Sequence, residues 1–138
     1  MSANVGEALK PLSKVASGGE LARIMLAIKN VMAEQDAIST MIFDEVDAGV
    51  SGRAAQKVAE KLRQVSRGRQ VLCVTHLPQI AALADHHLLI SKSQLQDRTY
   101  TSVDALDRQG RVRELARMIG GAQITDTTLK SAAEMLQS

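Results

Sequence analysis

Several features that often reveal a protein's chemistry are missing from these 138 residues. The sequence has no phosphate-binding loop of the pattern G-x-x-x-x-G-K-[ST], which excludes a complete nucleotide pocket of that type in this chain alone. Tryptophan is absent and Phe43 and Tyr100 are the only aromatic residues, which argues against a protein that stacks single-stranded nucleic acid on aromatic side chains. Any contact with DNA should therefore run from Lys and Arg to phosphates.

Cysteine and long apolar runs are equally scarce. The single cysteine, Cys73, excludes an internal disulfide and fits a reducing cytoplasm. Its place in the apolar run 71–75 predicts a buried strand residue and not a nucleophile. No apolar run approaches the roughly 20 residues of a membrane-spanning helix, and the first residues do not resemble a signal peptide. With 45% hydrophobic residues and a net charge of +2, the sequence predicts one cytoplasmic domain with no membrane contact.

What is present is a regular alternation of helical and strand patterns. Apolar spacing predicts helices at 20–34 and 54–65, and short apolar runs predict strands at 40–44 and 71–75. A strand, a helix and a strand within about 35 residues is typical of a βαβ unit with parallel strands. The other predicted elements are a lead-in loop at 1–15, a short helix after Pro78, strands at 87–91 and 99–104 joined by a polar stretch at 92–98, and helices at 111–119 and 126–137. The predicted fold class is α/β, a mostly parallel sheet flanked by helices.

Acidic residues and a histidine follow the two parallel strands. Asp44 and Glu45 end the first strand of the βαβ unit, and His76 follows the second. Because ligands bind outside the carboxyl ends of parallel strands, which lie about 4.8 Å apart, we expect the three side chains to face one site. One carboxylate suits Mg²⁺, the next can polarise an attacking water, and an imidazole can contact a terminal phosphate. A bare acidic pair is more often a plain strand end, but residues 41–43 and 46–52 around it favour the functional interpretation. A lone histidine is more often structural, but the place of His76 in the run 74–78, one βαβ unit after the acidic pair, favours a functional one.

The run Ser17-Gly-Gly-Glu20 lies where the first helix begins. Free N–H groups and the positive end of the helix dipole suit an anion there, and glycines let a phosphate approach the backbone. An ordinary N-cap formed by Ser17, with glycine for the turn, explains the same four residues equally well. The run by itself therefore leaves both interpretations open.

Two further patterns are weaker. The spacing of Cys73, His76, His86 and His87 does not match that of a zinc site. The basic residues of two predicted helices are interpreted as solvated faces rather than as a track for DNA. They are Lys57, Lys61, Arg63, Arg67, Arg69, Arg111, Arg113 and Arg117.

Taken in order, the motifs resemble those of the ATP-binding-cassette (ABC) superfamily. The run 16–20 resembles its signature motif, the run 41–45 its Walker B strand, and His76 its switch histidine. Residues 46–52, Val-Asp-Ala-Gly-Val-Ser-Gly, stand where a transporter ATPase has Pro-Thr-Ser. They resemble instead the chromosome-maintenance (SMC-like) branch and, within it, bacterial DNA-repair members. The resemblance covers almost the whole chain.

This resemblance implies a split ATPase head of which residues 1–138 are the C-terminal half. The phosphate-loop (Walker A) half and a long coiled coil belong to other parts of such a protein. ATP and Mg²⁺ are then sandwiched between two identical heads, so that ATP binding drives dimerisation and hydrolysis to ADP and phosphate releases it. The implied role is DNA double-strand break repair and recombination after DNA damage, in the bacterial cytoplasm at the nucleoid, with DNA contacted through the full-length protein. This half alone is expected to be inactive.

Carried over residue by residue, the resemblance assigns Mg²⁺ binding to Asp44, the catalytic base to Glu45 and the γ-phosphate contact to His76. The residues implied to contact ATP held by the opposite head, or to form the D-loop beside it, are Ser17, Gly18, Gly19, Glu20, Ala48, Gly49 and Ser51. Val50-Ser51 replaces the usual Leu-Asp, so no aspartate role carries over there, and the role of Asp47 is open. An ABC-transporter nucleotide-binding subunit and a non-catalytic interaction domain with an ATPase fold are the alternatives.

Overall fold

The computed structural model describes residues 16–32, 37–95 and 98–137, and the predicted lead-in loop at 1–15 lies outside them. By its internal contacts the chain divides into two compact units, Met1–Ile80 and Ala81–Ser138. None of the helices in the described ranges combines the length and the apolar character that crossing a lipid bilayer requires.

The first unit contains the predicted βαβ arrangement. Its elements are α1 (Gly18–Val31), β1 (Thr40–Phe43), α2 (Gly52–Val65) and β2 (Gln70–Cys73). The strands β1 and β2 pair in parallel, with Met41 opposite Val71 and Phe43 opposite Cys73. The prediction of two parallel strands joined by a helix is confirmed, and each strand ends slightly earlier than predicted.

One face of this small sheet is buried and the other is exposed. Met41 and Phe43 of β1 are buried. The residues of α2 at the spacing of an amphipathic helix are buried as well, namely Ala55, Val58, Ala59, Leu62 and Val65. On the opposite face Ile42 is 71%, Val74 53% and Leu72 41% exposed. Since burying an apolar side chain of this size contributes about 1.5–3 kcal/mol, the described residues leave a substantial stabilising contact unmade on this face.

The second unit is built from a hairpin and two packed helices. It begins within α3 (Pro78–Ala82) and continues with β3 (Leu88–Leu95), β4 (Arg98–Ala105), α4 (Arg108–Gly120) and α5 (Asp126–Met135). Its buried core is formed by Ala81, Ala82, Leu115, Ala116 and Ala132. The strands β3 and β4 are antiparallel, and β3 extends into the polar stretch that was predicted to be the connection. Cross-strand pairing continues along this extension, where Lys92 lies opposite Thr101 and Ser93 opposite Tyr100.

Arg111 holds the end of α3 within the second unit. Its Nη2 donates to the carbonyl oxygens of Ala82 at 3.3 Å and Ala84 at 2.6 Å, and its Nη1 donates to that of Asp85 at 3.3 Å. Carbonyl groups at a helix end lack intrahelical donors and are stabilised by such contacts. The interpretation of Arg111 as part of a solvated basic face was therefore wrong.

Candidate functional site

The segments that follow β1 and β2 leave the sheet at the same edge. Asp44 and Glu45 come directly after β1, and Thr75 and His76 come shortly after β2. Because the two strands are parallel, their carboxyl ends coincide, and Val74 N still donates to Phe43 O at 3.0 Å. The structure thus places the predicted acidic pair and the predicted histidine at one edge of one sheet.

Glu45 has an unusual backbone conformation. Its φ is 56°, and it is the one non-glycine residue in the described ranges with a positive φ. Such residues are uncommon because the side chain crowds the backbone, and they concentrate at functional sites. Local hydrogen bonds hold the turn, since Asp44 Oδ1 accepts from Glu45 N at 2.9 Å and Glu45 O accepts from Ala48 N at 3.0 Å. The chain therefore bends sharply at the proposed catalytic base.

The start of α1 is closed by a capping box. Ser17 Oγ accepts from Glu20 N at 3.3 Å, and Glu20 Oε2 accepts from Ser17 N at 2.8 Å and from Ser17 Oγ at 3.0 Å. These bonds, chiefly the one from the Ser17 backbone N–H, lower the pKa of Glu20. The N-cap interpretation of this run is confirmed, while the phosphate contact remains a prediction.

The two glycines of α1 lie against the loop that carries Glu45. A Cβ at Gly18 would be 2.7 Å from Glu45 Oε2. A Cβ at Gly19 would be 2.8 Å from Ala48 Cβ and 2.9 Å from Glu45 O. Close packing of the helix start on this loop therefore explains the absence of a side chain at position 19, independently of any phosphate.

We expect Gly19→Ala to lower the free energy for opening α1 by about 1–3 kcal/mol, since a methyl group there is forced against backbone atoms. Gly18→Ala is the matched control, because its methyl group meets only the movable end of the Glu45 side chain and should cost much less. Native-state hydrogen exchange at the α1 amides measures both values. Equal opening free energies for the two variants would contradict the packing argument.

Arg23 secures the same loop from the side of α1. Its Nη1 donates to Val46 O at 3.2 Å and to Ala48 O at 2.7 Å. Both acceptors are backbone carbonyls, so the contact fixes the path of the loop and does not depend on its side chains. Sequence analysis did not single out Arg23. Its one signal was a basic residue one helical turn after Glu20, inside an otherwise apolar stretch.

Asp47 is the buried acidic residue of this site. Its Oδ2 accepts from Thr75 Oγ1 at 2.7 Å and from His76 N at 2.9 Å, and lies 3.0 Å from His76 Nδ1. Burial acts to raise the pKa of Asp47, but the hydrogen bonds from Thr75 and His76 outweigh it and the pKa lies below its ordinary value. The residue whose role the sequence left open therefore joins the segment after β1 to the segment after β2.

The remaining predicted contact residues form the turn into α2. Ala48 is half-buried, Gly49 is exposed with a φ of 71°, and Ser51 is the exposed N-cap of α2. The Ser51 side chain makes no capping hydrogen bond, so its hydroxyl is not used by the helix that it precedes. These residues are placed at the surface beside the acidic pair.

Asp44 is the residue that was predicted to bind Mg²⁺. It is exposed, and one of its carboxylate oxygens accepts from Glu45 N. In the described ranges no group of three or more His, Cys, Asp or Glu side chains is arranged to hold a metal ion. A single exposed carboxylate is compatible with the predicted magnesium role of Asp44, because proteins commonly hold Mg²⁺ through one or two carboxylates with phosphate oxygens and waters completing the shell.

Cys73 is not suited to nucleophilic or metal chemistry. Burial, aided by the negative charges of Asp47 and Asp44, raises the pKa of its thiol to about 12. The thiolate is the reactive and metal-binding form, and it is scarce at neutral pH under these conditions. The prediction that Cys73 is not a nucleophile agrees with this environment, although the side chain is half-buried rather than buried.

Comparisons with known proteins point to one relationship. The chain is 56% identical over 137 residues to the DNA repair protein RecN of Bacillus subtilis (strain 168) and 54% identical over 136 residues to that of Halalkalibacterium halodurans. Each match covers 99% of this chain and 24% of the relative, so the chain spans about a quarter of the length of these relatives. No family model matches the chain.

A solved structure supports the fold. It comes from work on ATP-driven dimerization and DNA-stimulated activation of SMC ATPases, and it matches with a TM-score of 0.55 at 22% identity, covering 86% of this chain and 70% of that chain. The predicted α/β class, with a short parallel sheet flanked by helices, is thereby confirmed. The chain is thus similar in sequence to about a quarter of the length of RecN DNA repair proteins, and its fold is similar to that of a solved SMC ATPase.

Proposed function

We propose that this chain is the C-terminal half of an SMC-like ATPase head, which hydrolyses ATP when it is joined to a phosphate-loop half and paired with a second head. The observation that carries the proposal is the geometry of Glu45. Glu45 follows a parallel strand and has a rare backbone conformation, and its carboxylate lies against Gly18 at the start of α1. Ligands of parallel α/β sheets bind at this edge. The similarity to RecN proteins and to an SMC ATPase supports the same interpretation.

The uncovered sheet face supports a missing half. Ile42, Leu72 and Val74 expose apolar surface on one side of the β1–β2 sheet. The 138 residues contain no phosphate loop, and the chain spans about a quarter of its relatives. Another segment of a longer protein, carrying the phosphate loop, would bury this face. The assignment of residues 1–138 to the C-terminal lobe of the head is part of this proposal.

In the assembled head, the residues at the strand ends have separate tasks. Asp44 has a carboxylate oxygen to offer Mg²⁺, which when bound offsets negative charge on the phosphates. Glu45 accepts the proton of the attacking water. His76, which is exposed at the same edge, contacts the terminal phosphate and stabilises the charge that develops there.

The start of α1 and the turn before α2 face the second head. Backbone N–H groups of Gly18 and Gly19 form an anion site for the phosphate of the nucleotide that the second head holds. The Ser17 hydroxyl, which now donates to Glu20, exchanges that acceptor for a phosphate oxygen when the heads close. Ala48, Gly49 and Ser51 line the same contact. Because both heads use the same surface, the dimer is two-fold symmetric and each nucleotide lies between the two heads.

The names of the relatives suggest the cellular process in which this chain acts. They are called DNA repair proteins, and we infer that this chain serves in double-strand break repair and recombination. DNA is contacted through the full-length protein, in the bacterial cytoplasm at the nucleoid.

Reconstitution from two halves tests the proposal. This chain, the N-terminal phosphate-loop half and a mixture of the two are assayed for phosphate release from ATP. We expect hydrolysis in the mixture only, with Asp44→Asn in the mixture as a variant that loses activity through weakened magnesium binding. Clear hydrolysis by the 138 residues alone, or none by a folded mixture that binds ATP, would contradict the assignment.

A further inference from the structure

Asp47 holds an exposed histidine from a buried position. Its side chain is 4% exposed, whereas that of His76 is 72% exposed. A single oxygen, Oδ2, accepts from the His76 backbone N–H at 2.9 Å and lies 3.0 Å from His76 Nδ1. Main chain and side chain of the histidine are therefore tied to the same atom.

Thr75 extends this contact along the loop. Its Oγ1 donates to Asp47 Oδ2 at 2.7 Å and accepts from Leu77 N at 3.0 Å. The buried carboxylate thus holds Thr75 and His76 directly, and Leu77 through the Thr75 hydroxyl. Because such networks are strong when every member has a partner, this loop should keep one arrangement.

The contact also decides which imidazole nitrogen carries a proton. A carboxylate accepts hydrogen bonds and cannot donate one, so the approach of Nδ1 to Asp47 Oδ2 requires a proton on Nδ1. Nε2 is left as the nitrogen available to a ligand. In the neutral ring Nε2 is then bare, so donation to a phosphate oxygen requires a second proton on Nε2, and the Asp47 carboxylate would balance the resulting positive charge.

We propose that Asp47 is the positioning residue for His76. It fixes the loop at 75–77 and holds Nδ1–H, which leaves Nε2 for the terminal phosphate, to which Nε2 donates once it too is protonated. This inference rests on the proposed ATPase function, and it assigns a task to a residue that is neither the base nor the magnesium ligand.

The first test reads the histidine directly and needs no turnover. In the full-length protein with ¹⁵N-labelled histidine, the His76 signals are identified by their loss in His76→Gln. We expect the neutral imidazole of the nucleotide-free protein to carry its proton on Nδ1. A neutral His76 protonated on Nε2, with a bare Nδ1, would overturn the proposal even if no Asp47 variant folds.

The second test asks whether Asp47 acts through His76. ATP turnover is compared among Asp47→Asn, His76→Ala and the double variant. We expect Asp47→Asn to lower kcat about 10- to 100-fold with the KM for ATP changed by less than about twofold, as for other partners that orient an active-site histidine. The double variant should be no slower than His76→Ala alone. Losses that multiply in the double variant would show that Asp47 acts independently and would overturn the proposal.

Variants of Thr75 are a matched control, and a variant of Glu45 distinguishes failure of the ATPase assignment from failure of the positioning role of Asp47. Thr75→Ser keeps the hydroxyl and should retain wild-type kcat, whereas Thr75→Val should lower it. Glu45→Gln is assayed in parallel. Full turnover by Glu45→Gln would defeat the ATPase assignment itself. An inactive Glu45→Gln together with independent effects of Asp47 and His76 would defeat the positioning role alone.

Discussion

Glu45→Gln is expected to abolish ATP turnover by the assembled head while ATP binding is retained. The amide keeps the shape of the side chain but cannot accept the proton of the attacking water, and loss of a general base lowers rates by about 10²- to 10⁴-fold. Since hydrolysis is the step that releases the paired heads in the proposed cycle, the variant should accumulate as an ATP-bound dimer. Phosphate release and sedimentation velocity with ATP measure the two effects.

Glu60→Gln is the matched control for this substitution. Glu60 is an exposed glutamate of α2, so the same chemical change there should leave turnover unaltered. Normal turnover in Glu45→Gln would refute Glu45 as the base. A variant that no longer binds ATP would show that the side chain has a different task.

Ser17→Arg is expected to block ATP-driven dimerisation while each head still binds its own nucleotide. The bulky side chain crowds the anion site at the start of α1, which in the proposed dimer faces the nucleotide of the opposite head. Ser17→Ala is the control for the capping role, because it also loses the capping hydroxyl, which costs about 1 kcal/mol, but adds no bulk. We expect sedimentation with ATP to show monomers for Ser17→Arg and a weakened dimer for Ser17→Ala.

Mixing the two variants makes the test of sharing more stringent. A dimer of one Ser17→Arg head and one Glu45→Gln head has one site in which both residues are changed and one site in which both are intact. The mixture should therefore recover turnover that neither variant shows alone. If mixing never restores hydrolysis, the arrangement in which two heads share each nucleotide is wrong.

Local pattern was sufficient to predict the βαβ unit. The helical spacing in α2 and the short apolar runs of β1 and β2 are signals within single segments, and the structure confirms all three elements. Strand β3 was predicted too short because its second half is polar and is stabilised by its partner strand, which no property of its own sequence reveals. Periodicity reports elements that bury one face, and it misses those stabilised by pairing.

The sequence was sufficient to predict that the three candidate site residues lie at one edge of the sheet, but not to predict the hydrogen bonds around them. Asp44, Glu45 and His76 stand at strand ends, so a topological rule places them together. The contacts of Asp47 with Thr75 and His76, and of Arg23 with Val46 and Ala48, join residues that are far apart in sequence. The residues next to Asp47 and Arg23 in the sequence do not indicate which distant groups these side chains contact.

The left-handed backbone conformation of Glu45 lowers the stability of the fold. A non-glycine residue in this conformation costs of order 1–3 kcal/mol, whereas glycine adopts a φ of 56° without steric crowding. Selection for thermal resistance alone would favour glycine at this position and would discard the carboxylate with it. Efforts to engineer a more thermostable variant therefore need to leave residue 45 unchanged, because a gain in folding free energy there would remove the carboxylate that we propose to be the base.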